Sequence, residues 1–137
     1  MKCLLDTNVV AELRKGSRAH ASVRSWFAGL ESDDIVLSVL TVGEIRRGID
    51  SVRRRDDASA RALDRWLRRL VAEHADRILP VDLATAEEWG RLNVPNPVPV
   101  IDGLLAATAK VHGLTLATRN VKDVARTGVE FVNPFES

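Results

Sequence analysis

The sequence has little of what several other classes of protein depend on. Among 137 residues there is one cysteine, one methionine and no tyrosine, and aromatic residues make up 4%. A single cysteine excludes an internal disulfide, and with it the disulfide-stapled class of small secreted proteins. Cys3 lies in an apolar run, so we expect its thiol to be buried and inert.

Long hydrophobic runs are missing as well. No apolar run approaches the length of about 18 residues that a membrane-spanning helix needs, so we predict no association with a membrane. Asp6 interrupts the first apolar stretch too early for the apolar part of a signal peptide. These features lead us to expect a cytoplasmic protein.

An excess of charge of either sign is also missing, because 20 basic and 19 acidic residues give a net charge of +1. The balance identifies no partner, so only the distribution of charge is informative. Arginines crowd the middle of the chain, at Arg46, Arg47, Arg53, Arg54, Arg55, Arg61, Arg65, Arg68 and Arg69. Acidic residues are interspersed in the stretch 58–74, which favours the solvated face of an amphipathic helix there.

The sequence does contain a regular alternation of short strand-like runs and longer helix-like stretches. Hydrophobic residues make up 45% of a chain with the length of one domain, so we predict a single domain over residues 1–137. The predicted strands are 2–5, 35–37, 78–81, 114–117 and 130–132. The predicted helices are 9–13, 21–30, about 42–52, 58–74, 83–92, 104–111 and 121–126. This alternation predicts an α/β fold with helices on both faces of a parallel sheet.

Polar residues suited to chemistry stand near the predicted ends of the strands. Asp6 ends the first strand, Glu44 follows the second, Asp102 opens the helix that leads to the fourth, and Asn120 and Asp123 come after the fourth. Ligands bind beyond the carboxyl ends of the strands in an open parallel sheet. We therefore expect these side chains to converge at one edge.

Such convergence requires a counter-charge. Two like charges about 5 Å apart repel by roughly 3 kcal/mol at an effective dielectric constant of 20. No lysine or arginine accompanies all of these acids, so a hard divalent cation is the natural partner, and carboxylate oxygens suit Mg²⁺ or Mn²⁺. The three histidines, His20, His74 and His112, are scattered and lack the spacing of transition-metal ligands.

Each acid also has an ordinary structural explanation. Asp6 and Asp102 are placed to cap helices, Thr41-x-x-Glu44 has the pattern of a capping box, and Asp123 would stabilise the first turn of a short helix. Capping does not require the acids to gather at one end of a sheet, whereas metal binding does. Their shared placement therefore favours a metal site.

Four blocks of sequence, taken together, resemble the PIN-domain family. They are L-L-D-T-N at 4–8, S-V-L-T-V-G-E-I-R-R-G at 38–48, P-V-I-D-G-L-L-A-A-T-A at 99–109 and L-A-T-R-N-V-K-D at 116–123. The resemblance is strongest to the VapC toxins of this family, including FitB-like members, and it covers essentially the whole chain. It implies a three-layer α/β/α fold.

The resemblance also implies an activity. VapC proteins are metal-dependent endoribonucleases, toxins of type II toxin–antitoxin systems, that hydrolyse RNA phosphodiester bonds with a metal-activated water. Matched by position, Asp6, Glu44 and Asp102 correspond to the family's three core acids, and Asp6 and Asp102 to its usual direct ligands of Mg²⁺, with Mn²⁺ as an alternative. The family's fourth acidic position corresponds to Asn120 or to Asp123 in this sequence. An asparagine at that position would contribute no charge.

Partners and supporting residues follow from the same resemblance. It implies a homodimer and a VapB-like antitoxin whose tail fills the groove beside the active site. Thr7 and Thr118 are candidates to support the acids or a phosphate, with turn formation as the alternative.

Arg46, Arg47 and Arg119 lie beside the acidic motifs and are better candidates for contacts with RNA than the other arginines. Three phenylalanines and three tryptophans give little support to base stacking.

Three other functions fit part of the pattern. A receiver-like signalling domain has a similar sheet with strand-end acids, but it would have adjacent acids after the first strand and a lysine after the last. This sequence has Asp6-Thr7-Asn8 and Glu130-Phe131-Val132-Asn133 at those places. A catalytically silent metal-binding domain that contacts RNA or protein would keep the acids, and cleavage of DNA would use the same metal chemistry.

Overall fold

A parallel β-sheet of five strands forms the centre of the structure, a computed structural model that describes residues 1–136. The strands are β1 (Cys3–Leu5), β2 (Ile35–Ser38), β3 (Ile78–Leu79), β4 (Thr115–Ala117) and β5 (Phe131–Val132). Their order across the sheet is β3-β2-β1-β4-β5, and every neighbouring pair is parallel. In register, Leu4 of β1 lies between Val36 and Leu116. The first strand is therefore the central one.

Helices cover both faces of this sheet. They are α1 (Thr7–Leu13), α2 (Ala21–Ala28), α3 (Val39–Arg53), α4 (Asp57–Glu73), α5 (Leu83–Leu92), α6 (Val100–His112) and α7 (Val121–Val124), joined in part by short 3₁₀ turns. The helices α1 to α4 contribute to one hydrophobic core and α5 to α7 to the other. None of the helices among residues 1–136 is long and apolar enough to cross a membrane.

The two cores follow from the alternation of side chains along β1. Cys3 and Leu5 belong to the core under α1 to α4, whereas Leu4 between them belongs to the core under α5 to α7. Successive side chains of a strand point to opposite faces, and a strand covered on both faces is apolar throughout. Cys3 is fully buried, which confirms the expectation that its thiol is inaccessible.

The predicted α/β fold with helices on both faces is confirmed, and most predicted elements differ from the observed ones by only a few residues. The alternative that Thr41 and Glu44 form a capping box is wrong, because α3 begins earlier, at Val39. Its N-cap is Ser38, whose hydroxyl accepts a hydrogen bond of 3.0 Å from the N–H of Leu40. Thr41 is fully buried inside the helix.

The alternative that Asp102 caps a helix is also wrong. Helix α6 begins at Val100, and its N-cap residue is Pro99, so Asp102 lies within the first turn. The carbonyl of Pro99 accepts the first hydrogen bond of the helix, from the N–H of Gly103 at 2.8 Å. Asp6, in contrast, is an N-cap, because its side chain accepts from the N–H of Thr7 at the start of α1.

Two glycines make a matched test of the fold. Gly113 ends α6 with φ +66°, a left-handed conformation that costs other residues about 1–2 kcal/mol, whereas Gly48 lies inside α3 with open space around it. We expect Gly113→Ala to destabilise the protein by about 1 kcal/mol and Gly48→Ala to stabilise it by about 0.5–1 kcal/mol. Chemical denaturation of both variants measures the two effects, and effects of the same sign would contradict the structure.

Candidate active site

The carboxylate of Asp6 is the most enclosed acid of the site, with only 4% of the residue exposed. Its Oδ1 accepts from the N–H of Thr7 at 2.6 Å. Its Oδ2 accepts from the hydroxyl of Thr118 at 2.6 Å and from Nδ2 of Asn8 at 3.1 Å. Three neutral donors from the ends of β1 and β4 therefore fix the orientation of this carboxylate.

Glu44 is held by the residue that follows Asp6. The hydroxyl of Thr7 donates a 2.5 Å hydrogen bond to Oε1 of Glu44. Because α3 begins at Val39, Glu44 lies in its second turn, close to the carboxyl edge of the sheet. The contact joins the first turn of α1 to α3 and turns Glu44 toward Asp6.

Asp102 is held by Asn120, from the loop after β4. Nδ2 of Asn120 donates to Oδ1 of Asp102 at 3.3 Å, and the backbone N–H of Asn120 donates to the hydroxyl oxygen of Thr118 at 3.0 Å. Thr118 thus bonds both to Asp6 and to the residue that contacts Asp102. A chain of hydrogen bonds connects Asp6 to Asp102 through Thr118 and Asn120.

One pocket of about 530 Å³ collects these groups. It is lined by Asp6, Thr7, Asn8, Ala11, Glu44, Pro99, Val100, Ile101, Asp102 and Asn120. The predicted residue Asp123 is not among the lining residues, although its charge acts on Asp102. No lysine or arginine belongs to the lining.

The pKa values of two acids in the pocket are raised. Burial raises the pKa of Asp6 above its ordinary value and the charge of Glu44 adds to the rise, although the hydrogen bonds from Thr118, Thr7 and Asn8 oppose it. Partial burial likewise raises the pKa of Asp102, as do the charges of Asp6, Asp123 and Glu44, against the hydrogen bond from Asn120. Burial and mutual repulsion therefore both disfavour the ionised forms of Asp6 and Asp102.

The predicted arginines lie outside the pocket. Arg46 pairs with Asp64 of α4, which Arg53 also contacts, so Arg46 connects α3 to α4. The guanidinium of Arg119 lies over the ring of Phe135, with its central carbon 3.7 Å from the ring centroid.

Two residues of this region, Asn8 and Phe135, had no predicted role. Asn8 belongs to the L-D-T-N run, and it supports Asp6 through Nδ2 and accepts from the N–H of Arg119 through Oδ1 at 3.3 Å. The asparagine in that run was the available signal, because amides are common partners of a strand-end carboxylate. Phe135 lies in the tail after β5, and its sequence context carries no comparable signal.

The donor atoms of the pocket residues determine whether a divalent cation can bind there. Among residues 1–136, no three Asp, Glu, His or Cys side chains form a preformed metal cluster. Mg²⁺ does not need one, because it commonly binds through one or two carboxylates and keeps several waters. An ionised carboxylate has about four acceptor positions, so Asp6 and Asp102 both keep acceptor capacity. The oxygen-only donors and the uncompensated negative charge fit such an ion.

The geometry defines a class of protein: a three-layer α/β protein with an acidic pocket at the carboxyl edge of a parallel sheet. The family model for the PIN domain matches residues 3–129 of this chain. The chain therefore belongs to the PIN-domain family, and this membership sets the receiver-like alternative aside.

Individual relatives are similar over nearly their whole length. VapC ribonuclease Y4jK of Sinorhizobium fredii is 32% identical over 97% of this chain and 97% of its own. Toxin FitB of Neisseria gonorrhoeae is 31% identical over 96% and 97%. Among solved structures, FitAcB from Neisseria gonorrhoeae superposes with a TM-score of 0.90 at 30% identity, over 98% of this chain and 99% of that one. The chain thus resembles the VapC and FitB branch of the family.

The raised pKa of Asp102 predicts a gain in stability on removal of its charge. Above its raised pKa, ionised Asp102 destabilises the folded protein, and this penalty disappears as the pH falls below the ordinary pKa of an aspartate. We expect Asp102→Asn to raise Tm by a few degrees at neutral pH without metal, and the gain to vanish in acid.

The control for this prediction is Asp50→Asn. Asp50 is exposed on α3 and pairs with Arg53 at 3.4 Å, so loss of its charge removes a favourable contact and should not raise Tm. Thermal melts across a pH series compare both variants with the parent. A lower Tm for Asp102→Asn at neutral pH would contradict an energetic penalty on the ionised carboxylate of Asp102.

Proposed function

We propose that this protein is a metal-dependent endoribonuclease, the toxin of a type II toxin–antitoxin system. The observation that carries the proposal is the single pocket in which Asp6, Glu44, Asp102 and Asn120 meet without a basic residue in the lining. The names of its relatives, a VapC ribonuclease and the toxin FitB, support the same activity at about 30% identity.

Asp6 and Asp102 are the residues that would hold the cation, Mg²⁺ or Mn²⁺. Each keeps free acceptor positions. Burial first, and the neighbouring acids second, raise the pKa of each, so a bound cation would stabilise the ionised form of both. A bound divalent cation would lower the pKa of a water and polarise a phosphoryl oxygen. The chain of Thr118 and Asn120 sets the positions of the two acids relative to each other.

Glu44 and the remaining residues have roles that follow from their contacts. Thr7 occupies Oε1 of Glu44, so we assign Oε2 to the attacking water, which it would orient and from which it would take a proton. Asp123 adds negative charge near Asp102 without lining the pocket. We assign Thr7 and Thr118 to the support of the acids, because their hydroxyls donate to Glu44 and Asp6.

The proposal includes partners. The solved relatives at 30% and 29% identity are FitAcB and FitAB bound to a DNA fragment, which supports a small antitoxin partner for this chain too. We also propose that the chain forms a homodimer. Residues 1–137 would then be one catalytic domain in each copy.

The first test is cleavage of total RNA from the host organism by purified, antitoxin-free protein. We expect fragments with Mg²⁺, none with excess EDTA, and at least about a hundredfold lower rates for Asp6→Asn and Asp102→Asn, because each change removes a charged metal ligand. Asp50→Asn makes the same change in charge outside the pocket and should cut at the parental rate.

Two further measurements separate the alternatives. A Mg²⁺-dependent rise in Tm of the parent without cleavage of host RNA would overturn the nuclease and favour a silent metal-binding domain. Equal cleavage of single-stranded DNA of the same sequence would overturn the restriction to RNA. Protein that neither cuts RNA nor responds to Mg²⁺ would overturn both the activity and the metal site.

The fourth position of the site has its own prediction. Asn120 contacts Asp102 directly, whereas Asp123 acts on it only through charge. We expect Asn120→Ala to lower the rate about tenfold or more even at saturating Mg²⁺, and Asp123→Asn mainly to raise the Mg²⁺ concentration needed for half-maximal rate. Titration of the cleavage rate with Mg²⁺ measures both effects, and the reverse pattern would assign the fourth position to Asp123.

A further inference from the structure

Outside the acidic pocket, the side chains of Arg119, Phe135 and His20 form a cluster. The guanidinium of Arg119 lies over the ring of Phe135 at 3.7 Å, well within the distance of about 6 Å that defines a cation–π contact. The ring of His20 meets the same phenylalanine edge to face, with 5.7 Å between centroids. Phe135 is partly buried against the core under α1 to α4. Phe135 therefore supports one side of the Arg119 side chain.

The cluster adjoins the pocket directly. Arg119 lies between Thr118, which bonds to Asp6, and Asn120, which bonds to Asp102. Its backbone N–H donates to Oδ1 of Asn8, a residue that lines the pocket. Arg119 is itself exposed, so part of its side chain remains accessible to solvent beside Phe135.

We propose that Arg119, supported by Phe135, is a stacking platform for an unpaired base of the RNA, next to the phosphate that is cut. The proposal rests on the proposed ribonuclease function. Sequence-specific recognition of RNA commonly uses unstacked bases laid on aromatic rings or on guanidinium planes. The planar guanidinium of an arginine supported by a ring can present such a surface, whereas a lysine ammonium cannot.

The local charges favour a base over a phosphate as the group bound here. Asp6, Glu44 and Asp102 line the neighbouring pocket, so the surroundings are negative. The pKa of Glu12 is lowered by hydrogen bonds from Lys15 and from the N–H of His20, and also by the charge of Arg119. Part of the positive charge of Arg119 is thus offset nearby, whereas stacking on its plane does not need a net positive field.

The test is RNA binding in the Asp102→Asn background, which should not cleave, with Mg²⁺ present. The probes are fluorescein-labelled single-stranded oligoadenylate and oligouridylate. Arg119→Lys keeps the charge and removes the plane, and Phe135→Leu keeps an apolar side chain and removes the ring. We expect each change to weaken oligoadenylate binding about tenfold. Because Arg119→Lys keeps the charge, the dependence of its affinity on salt should stay parental.

Arg61→Lys is the matched control, because Arg61 is exposed on α4 and pairs with Asp57. It should bind both probes as the background protein does, and unchanged thermal melts of all variants exclude misfolding. Parental affinity of Arg119→Lys would overturn the platform, as would a loss seen only in Arg119→Ala with a lower salt dependence, which marks a phosphate contact.

The platform and the ribonuclease can fail separately. If the parent cuts host RNA while Arg119→Lys binds the probes normally, the platform is wrong and the nuclease stands. If the parent cuts nothing while Arg119→Lys and Phe135→Leu both lose affinity, the platform stands as an RNA-binding site without the activity.

Discussion

The arrangement of the whole site depends on the burial of one carboxylate. The backbone of Asp6 donates to Ala117 of β4 at 2.9 Å and accepts from Val10 of α1 at 3.1 Å, while its side chain accepts from Thr118. One residue therefore ends the central strand, begins a helix and anchors the loop after the neighbouring strand. A buried carboxylate is stable only when its oxygens are hydrogen-bonded. The position of Asp6 therefore depends on the loop after β4 and on the start of α1, which supply these donors.

The donors around the acids are neutral, and this determines what the pocket can bind. Hydroxyl and amide groups of Thr7, Thr118 and Asn120 orient the three pocket acids without cancelling their charge. A lysine or arginine in their place would lower the repulsion and stabilise the fold without any cation. The acids instead stay partly buried and close together, so burial and repulsion both raise the pKa of Asp6 and Asp102. Binding of a divalent cation would reverse this loss of stability.

Much of the fold and part of the site could be predicted from the chain because the signals are local. Alternating apolar runs and helical periodicity identified the five strands and seven helices, and the family motifs located the acids. The sequence pattern predicts later starts for α3 and α6 than those observed, because Ser38 and Pro99 lie close to other residues that could cap a helix. The scarcity of aromatic residues in the sequence gives little support to base stacking. In the structure, however, Phe135 of the tail after β5 packs against the guanidinium of Arg119.

The sequence by itself determined that this is a parallel α/β protein of the PIN-domain family and which acids stand at the ends of its strands, because strand pattern and motif spacing are properties of short segments. Only the tertiary structure decided which of those acids share a pocket, which hydroxyl orients each of them, and that Arg119 lies on Phe135. Thr118 and Asp6 are 112 residues apart along the chain. Their contact exists because β4 pairs with β1, and that pairing is a consequence of packing the whole sheet between its helices.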